Sequence, residues 1–222
     1  MPRRLLSAAI AAIALVVLSV PLLIVALVVK LTSPGPVLFR QTRIGKRGQP
    51  FKILKFRTMI VGTTQQSAIT VGRDARITVV GRFLRGSKID ELPQLINVLK
   101  GNMNLVGPRP ELPVFVEKYS ATDRAIVLSV EPGMTDFASI RYRNESELLG
   151  TAEEPIAFYE HVVMPRKLRY ARFYARRAGV GIDCYVIGLT IRSLVADALR
   201  GRMTAPSGVR RNLCVRAPAR QL

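Results

Sequence analysis

Asp90 and Glu91 stand side by side, with Arg85 and Lys88 just upstream and Arg109 held between prolines in Gly107-Pro108-Arg109-Pro110. Adjacent carboxylates at a helix start are stabilised as anions by the macrodipole and the free amides there. Among fixed cations, such a pair could hold Mg²⁺ together with the phosphates of a nucleotide. An ionised Asp90 could also act as a nucleophile toward a phosphoryl group. The plainer alternative is structural: Asp90 as an N-cap and Glu91 as a first-turn acid. Other chemistries are poorly supplied. A lone His161 leaves no His-based metal centre and no Ser-His triad. Cys184 and Cys214 make neither a disulfide framework nor a zinc spacing.

The elements that must position these residues are legible in part. Residues 89–100 carry Leu92, Leu95, Ile96 and Leu99 at helical spacing, with Asp90 placed to cap, Pro93 in the first turn and Gly101 at the end. Residues 37–59 alternate apolar and basic side chains around Gly45-Lys46-Arg47-Gly48, the pattern of a β-hairpin with one strongly basic face. That face reads as solvated or lipid-facing. Residues 60–72 form a polar loop, and 155–178 and 183–200 are expected to form Arg-rich amphipathic helices. Asp183 is expected to cap the second, Cys184 to be a small core residue, and His161 to lie at the surface. The tail, 201–222, is basic and poor in apolar residues, and reads as disordered.

Charge and hydropathy set the partners. The 222 residues hold 34 Lys+Arg against 15 Asp+Glu, a net charge of +19, yet 49% are hydrophobic, which excludes a disordered polycation. Such a cation seeks nucleic acid, an anionic membrane surface or phosphorylated substrates. Residues 5–29 carry no charge and are flanked by Arg3-Arg4 and Lys30. A straight helix of that length runs about 37 Å, more than a bilayer's hydrocarbon core. It is too long for a secretory signal and lacks its cleavage site. Pro21 interrupts it, so a spanning helix and a re-entrant one both stay open. The basic remainder is expected on the cytoplasmic side.

Three collinear segments then carry a resemblance: SPGPVLFRQTRIGKRGQPFKILKFRTM, GRFLRGSKIDELPQLINVLKGNMNLVGPRPE and EPGMTD. Together they resemble the bacterial sugar transferase family, the monotopic polyprenyl-phosphate phosphoglycosyl transferases, from the apolar N-terminus to about residue 195. A nucleic-acid binder or a scaffold at anionic lipid accounts for the charge but not for Asp90-Glu91 or Arg109. The resemblance implies a bacterial inner-membrane enzyme that moves a phospho-sugar from a UDP-sugar to undecaprenyl phosphate, releases UMP and starts a surface glycan. Its catalytic dyad falls on Asp90, the nucleophile, and Glu91, with Mg²⁺ at the pair. Its phosphate-contacting residues fall on Lys55, Arg85, Arg109 and Arg143. Its membrane-helix break falls on Pro21.

The implied fold is a membrane-associated α/β chain, mostly helical with a small β-hairpin. Residues 1–30 form the re-entrant or transmembrane anchor, 31–200 the cytoplasmic catalytic head with amphipathic interfacial helices, and 201–222 the tail. Anionic lipids are expected partners, nucleic acid is not, and a homo-oligomer stays open. The chain departs from the family pattern in places. Val20 precedes Pro21 where the family has Ser, with Ser19 one place early, and Ala8 stands near an expected acid. Gly101-Asn102-Met103-Asn104 lacks a carboxylate, and Asp136-Phe137 replaces Gly-Leu.

Overall fold

The computed structural model describes residues 2–62, 69–72 and 74–199; the basic tail, Cys214 and the middle of the 60–72 loop lie outside them. In chain order the elements are α1 (Pro2–Val17), α2 (Ser19–Thr32), β1 (Leu38–Ile44), β2 (Pro50–Phe56), α3 (Val79–Ser87), α4 (Gln94–Leu99), β3 (Asn104–Val106), α5 (Pro113–Val116), α6 (Ala121–Val127), β4 (Gly133–Thr135), α7 (Phe137–Arg141), α8 (Glu145–Leu149), α9 (Pro155–Phe158), α10 (Met164–Arg177) and α11 (Val180–Leu199). The chain is mostly helical with little sheet, as expected.

The apolar N-terminus is two helices bent by 67° at Leu18. Pro21, in the first turn of α2, has no N–H to give to the carbonyl one turn back and its ring crowds that turn. Ser19 relieves the break: its hydroxyl donates to the Val16 carbonyl at 2.7 Å, although it is not adjacent to the proline. Among the described residues no single helix is long and apolar enough to cross a membrane, while the bent pair is so by length and composition.

One face of α1 lies on the head. Ser7 and Ala11 are buried, and Ala11, Ala14 and Leu15 pack with Leu95, Val98 and Met103 around α4. Small residues at 7, 11 and 14 follow the helical period and let the two backbones approach. Val29 of α2 packs with Phe56 and Leu84. The largest core cluster joins Leu112, Phe115, Val127, Leu149, Tyr159, Val163 and Leu168. Burying an aliphatic or Phe side chain of this kind contributes about 1.5–3 kcal/mol.

The hairpin forms as expected, antiparallel, with Phe39 opposite Lys55 and Arg43 opposite Phe51. Its basic residues, however, do not share a face. Arg40 and Arg43, like Lys52 and Lys55, are three apart, and an odd spacing places them on opposite sides of a strand. The structure adds a short parallel pair, β3 beside β4, with Asn104 opposite Gly133 and Val106 opposite Thr135. Three-residue strands carry too little alternation to be read from sequence.

Three helical expectations need correction. Residues 89–100 are not one helix: Lys88 takes a left-handed φ of 62°, Ile89–Glu91 make a single 3-10 turn, and α4 begins only after Pro93. Asp90 therefore caps nothing. The 155–178 stretch is α9, a π-helical turn at Tyr159–Val163, and then α10. Asp183 lies inside the first turn of α11 rather than capping it. Its carboxylate accepts from Arg3 Nε at 2.8 Å and Tyr174 Oη at 2.6 Å. With Asp183 turned inward, Cys184, about 100° further round the helix, is exposed rather than in the core.

Candidate active site

Lys55 leaves the end of β2, Arg85 the last turn of α3, Asp90 and Glu91 the 3-10 turn, Arg109 the loop after β3, and Arg143 the α7–α8 connection. All six line one cavity of about 2300 Å³. Pro21 sits apart from them at the helix bend. Asn97 of α4 locks β2 in place, accepting from Leu54 N at 3.0 Å and donating to the Lys52 carbonyl at 2.8 Å. The parallel pair delivers Arg109: Gly107 N donates to Thr135 O at 3.1 Å and Gly133 N to Pro108 O at 3.0 Å. A side chain at Gly133 would stand 2.0 Å from Gly107 N, so that approach requires glycine.

The two carboxylates are in unlike states. Glu91 accepts from Lys55 Nζ at 2.7 Å, from Arg109 Nη1 at 3.1 Å and from Arg109 Nη2. Burial opposes its charge, but Arg109 and Lys55 outweigh that and hold Glu91 well below the usual carboxylate range. The same contact raises the Arg109 guanidinium. Asp90 is only 7% exposed, and its Oδ1 is buried without a hydrogen-bond partner. Burial and then the Glu91 charge push its pKa up, while Lys55, Lys88 and Arg85 pull it back. Burial, more than any helix-terminus effect, therefore governs Asp90.

Arg85 and Arg143 are also fixed. Arg85 Nε donates to Thr58 Oγ1 at 2.8 Å and its Nη1 to Thr70 Oγ1 at 3.3 Å. Arg143 Nε pairs with Asp197 Oδ2 at 2.7 Å, leaving its Nη2 buried and unpartnered. Lys55 and Arg85 are both pulled down by burial.

Several contributors were given no site role from the sequence. Asp136, buried, accepts from Ser139 N at 2.6 Å to cap α7 and from Arg109 N at 3.3 Å, so the departure at 136–137 supports the loop that carries Arg109. Behind that loop Arg43 donates to the Pro110 carbonyl at 3.4 Å and to Glu111 at 3.1 Å. Asp197 and Lys88 also line the cavity. Lys88, two residues before Asp90, and Asp136, a departure from the family pattern, were visible in the sequence; Asp197 carried no signal.

Fixed cations around a buried carboxylate pair suit a phosphorylated substrate, because in-line phosphoryl transfer needs positioning and charge neutralisation more than acid–base groups. Among the described residues no group of three or more His, Cys, Asp or Glu could hold a metal ion. Mg²⁺ asks for less, since it keeps waters and binds through one or two carboxylates plus substrate phosphates. One oxygen of Asp90 fits that donor set and leaves the other to react; the Glu91 oxygens are already taken by Arg109 and Lys55.

A family model described as bacterial sugar transferase matches residues 1–197. The UDP-glucose:undecaprenyl-phosphate glucose-1-phosphate transferase of Klebsiella pneumoniae is 37% identical over 85% of this chain and 39% of its own length. The Escherichia coli (strain K12) protein of the same name is 42% identical over 82% of this chain and 37% of its own. The UDP-N-acetylgalactosamine-undecaprenyl-phosphate N-acetylgalactosaminephosphotransferase of Aeromonas hydrophila is 35% identical over 83% of this chain and 41% of its own. The chain thus spans about two fifths of the length of these relatives.

Proposed function

Because this chain belongs to the bacterial sugar transferase family, we propose that it transfers a sugar phosphate from a UDP-sugar to undecaprenyl phosphate, releasing UMP. The observation that carries the reading is the Asp90 oxygen, buried and unpartnered in a cavity where Lys55, Arg85, Arg109 and Arg143 are held in place. In the first step that oxygen attacks the sugar-bearing phosphorus. The bond from phosphorus to the bridging oxygen breaks, and UMP leaves with the electron pair. In the second, an oxygen of the lipid phosphate attacks the same phosphorus, and the Asp90 carboxylate departs. The product is the polyprenyl-diphosphate sugar that starts a surface glycan.

Glu91 holds Arg109 and Lys55 where the phosphoryl oxygens gather charge, and Arg85 and Arg143 serve the other phosphate oxygens. Mg²⁺, bound through Asp90 with Glu91 alongside, would supply charge neutralisation for the diphosphate. Burial of Asp90 keeps its nucleophilic oxygen free of water, and the fixed cations need not reorganise as charge develops.

The same reading includes a re-entrant anchor at the cytoplasmic face of the inner membrane. What supports it is that both ends of the bent pair bind the same head. Arg3 pairs with Asp183 and donates to Tyr174, while Arg57 donates to the Val29 and Ser33 carbonyls at 3.1 and 2.6 Å. Between those ends exposed apolar side chains run along both limbs, from Leu5 to Leu31, and continue through Val16, Val17 and Val20 at the bend. Such an apex suits one leaflet, and burying it there is favourable by area alone.

The test is chemical trapping. Detergent-purified protein given Mg²⁺ and a panel of UDP-sugars, with the lipid acceptor withheld, should carry one sugar phosphate on Asp90 by mass spectrometry. Asp90→Asn should fold and bind nucleotide without turnover. An adduct on another residue, or full turnover in Asp90→Asn, refutes the assignment.

A further inference from the structure

Of the five cations described around the carboxylate pair, four have partners. Lys55 and Arg109 are on Glu91, Arg143 is on Asp197, and Arg85 is on Thr58 and Thr70. Lys88 is different. It lines the same cavity and is half-buried, yet its ammonium makes neither a hydrogen bond nor an ion pair with any described residue. Two residues on, Asp90 has a buried oxygen with no partner either, and the two opposite charges do not pair with each other.

The backbone at Lys88 deepens the contrast. Its φ of 62° ends α3 in a left-handed cap, with Lys88 N on the Arg85 carbonyl at 3.3 Å. Glycine is the usual residue there, because a side chain at positive φ is disfavoured. A lysine that only capped a helix would be a poor choice. A strained, non-glycine residue beside a reactive group points instead to use of its side chain.

An unpaired ammonium and an unpaired carboxylate oxygen can both be served by one tetrahedral phosphoryl group, anionic at oxygen and electrophilic at phosphorus. We propose that Lys88 is a further phosphate-contacting residue, binding the oxygens of the phosphoryl group that Asp90 attacks. The ammonium bonds to neither carboxylate and is therefore free to take that group. The assignment rests on the transferase reading above and adds a residue to it.

The experiment compares UDP, whose β-phosphate stands for the sugar-bearing phosphate, with UMP, which lacks it. Both are titrated calorimetrically into the detergent-solubilised full chain with Mg²⁺. Lys88→Gly suits the backbone and removes the ammonium; Lys88→Arg keeps a cation. Lys88→Gly should keep or raise the melting temperature and weaken UDP binding about 10- to 100-fold, the size of a charge-assisted hydrogen bond. UMP affinity should stay within about twofold, and Lys88→Arg should recover most of the UDP affinity. A higher melting temperature with unchanged UDP affinity would make Lys88 a helix cap and overturn the assignment, as would equal losses for UDP and UMP. Wild-type protein that binds neither UDP nor any UDP-sugar overturns the transferase reading and this assignment with it.

Discussion

Glu111 shows how a single side chain supports the site through its neighbours. It accepts from Arg43 at 3.1 Å and Leu112 N at 3.0 Å, takes the Tyr159 hydroxyl, and lies 3.7 Å from Lys167. Burial opposes its charge, yet Lys167 and Arg43 outweigh that and hold its pKa below the ordinary 4.5. The sign follows from linkage: a carboxyl depressed on folding stabilises fully above its unfolded pKa and loses that contribution as pH falls through its folded value. Glu111→Gln leaves Arg43 buried without its anion, while Lys167 keeps Glu145 at 2.9 Å, and should cost about 3–5 kcal/mol near neutrality. The gap between wild type and variant, read from denaturant melts, should be constant from pH 6 to 8 and should narrow below the ordinary carboxyl pKa. A pH-independent gap would assign the loss to packing instead of charge.

Helix α3 positions Arg85, and it does so through a glycine. Thr78 caps its start, accepting from Gly81 N at 2.9 Å, and Thr78 N donates to the Thr58 carbonyl at 3.0 Å. A Cβ at Gly81 would lie 2.1 Å from that carbonyl oxygen. Two effects oppose each other in Gly81→Ala. Helix propensity favours alanine by about 1 kcal/mol. Against it stands a clash with backbone, which can be relieved only by moving α3 from the strand exit, and overpacking costs about 1–3 kcal/mol. The clash should win. Gly81→Ala should lower the melting temperature and also reduce turnover, because Arg85 and Thr58 share the displaced contact. A stabilised, fully active variant would show that the helix start is free to shift.

Across the whole molecule, the N-terminal pair and the head act as one piece. The Arg3–Asp183 pair and the Arg57 bonds to Val29 and Ser33 tie down both limbs. A straight span would separate those attachments by a bilayer. Single cysteines at Arg4 and Pro34, both exposed, should therefore react from the cytoplasmic side alone when Cys184 and Cys214 are replaced by serine. The readout is an impermeant maleimide applied to intact cells and to inverted vesicles. Periplasmic labelling at residue 4 would establish a spanning helix. Asp183→Ala should loosen α1 and give mixed labelling, since a half-buried Arg3 left without its anion prefers water.

The residues themselves determined the chemistry class. Asp90-Glu91, Arg109 between prolines and the ordered motifs are local strings, as is the hairpin pattern around 45–48, and each can be read without knowing what lies opposite. The uncharged stretch interrupted by Pro21 likewise announced a bend. Contacts across long sequence separations were decided only by folding. That Glu91 takes Lys55 and Arg109, 36 and 18 residues away, follows from β2, α4 and β3 packing together. So does the isolation of Asp90, which looked like a cap because its neighbours in sequence favour one. Asp183 joined Arg3 across 180 residues, a pairing no period or spacing encodes. Local propensity acts over a turn or two of chain, whereas a buried charge is settled by whichever counter-charge the tertiary fold brings within about 4 Å.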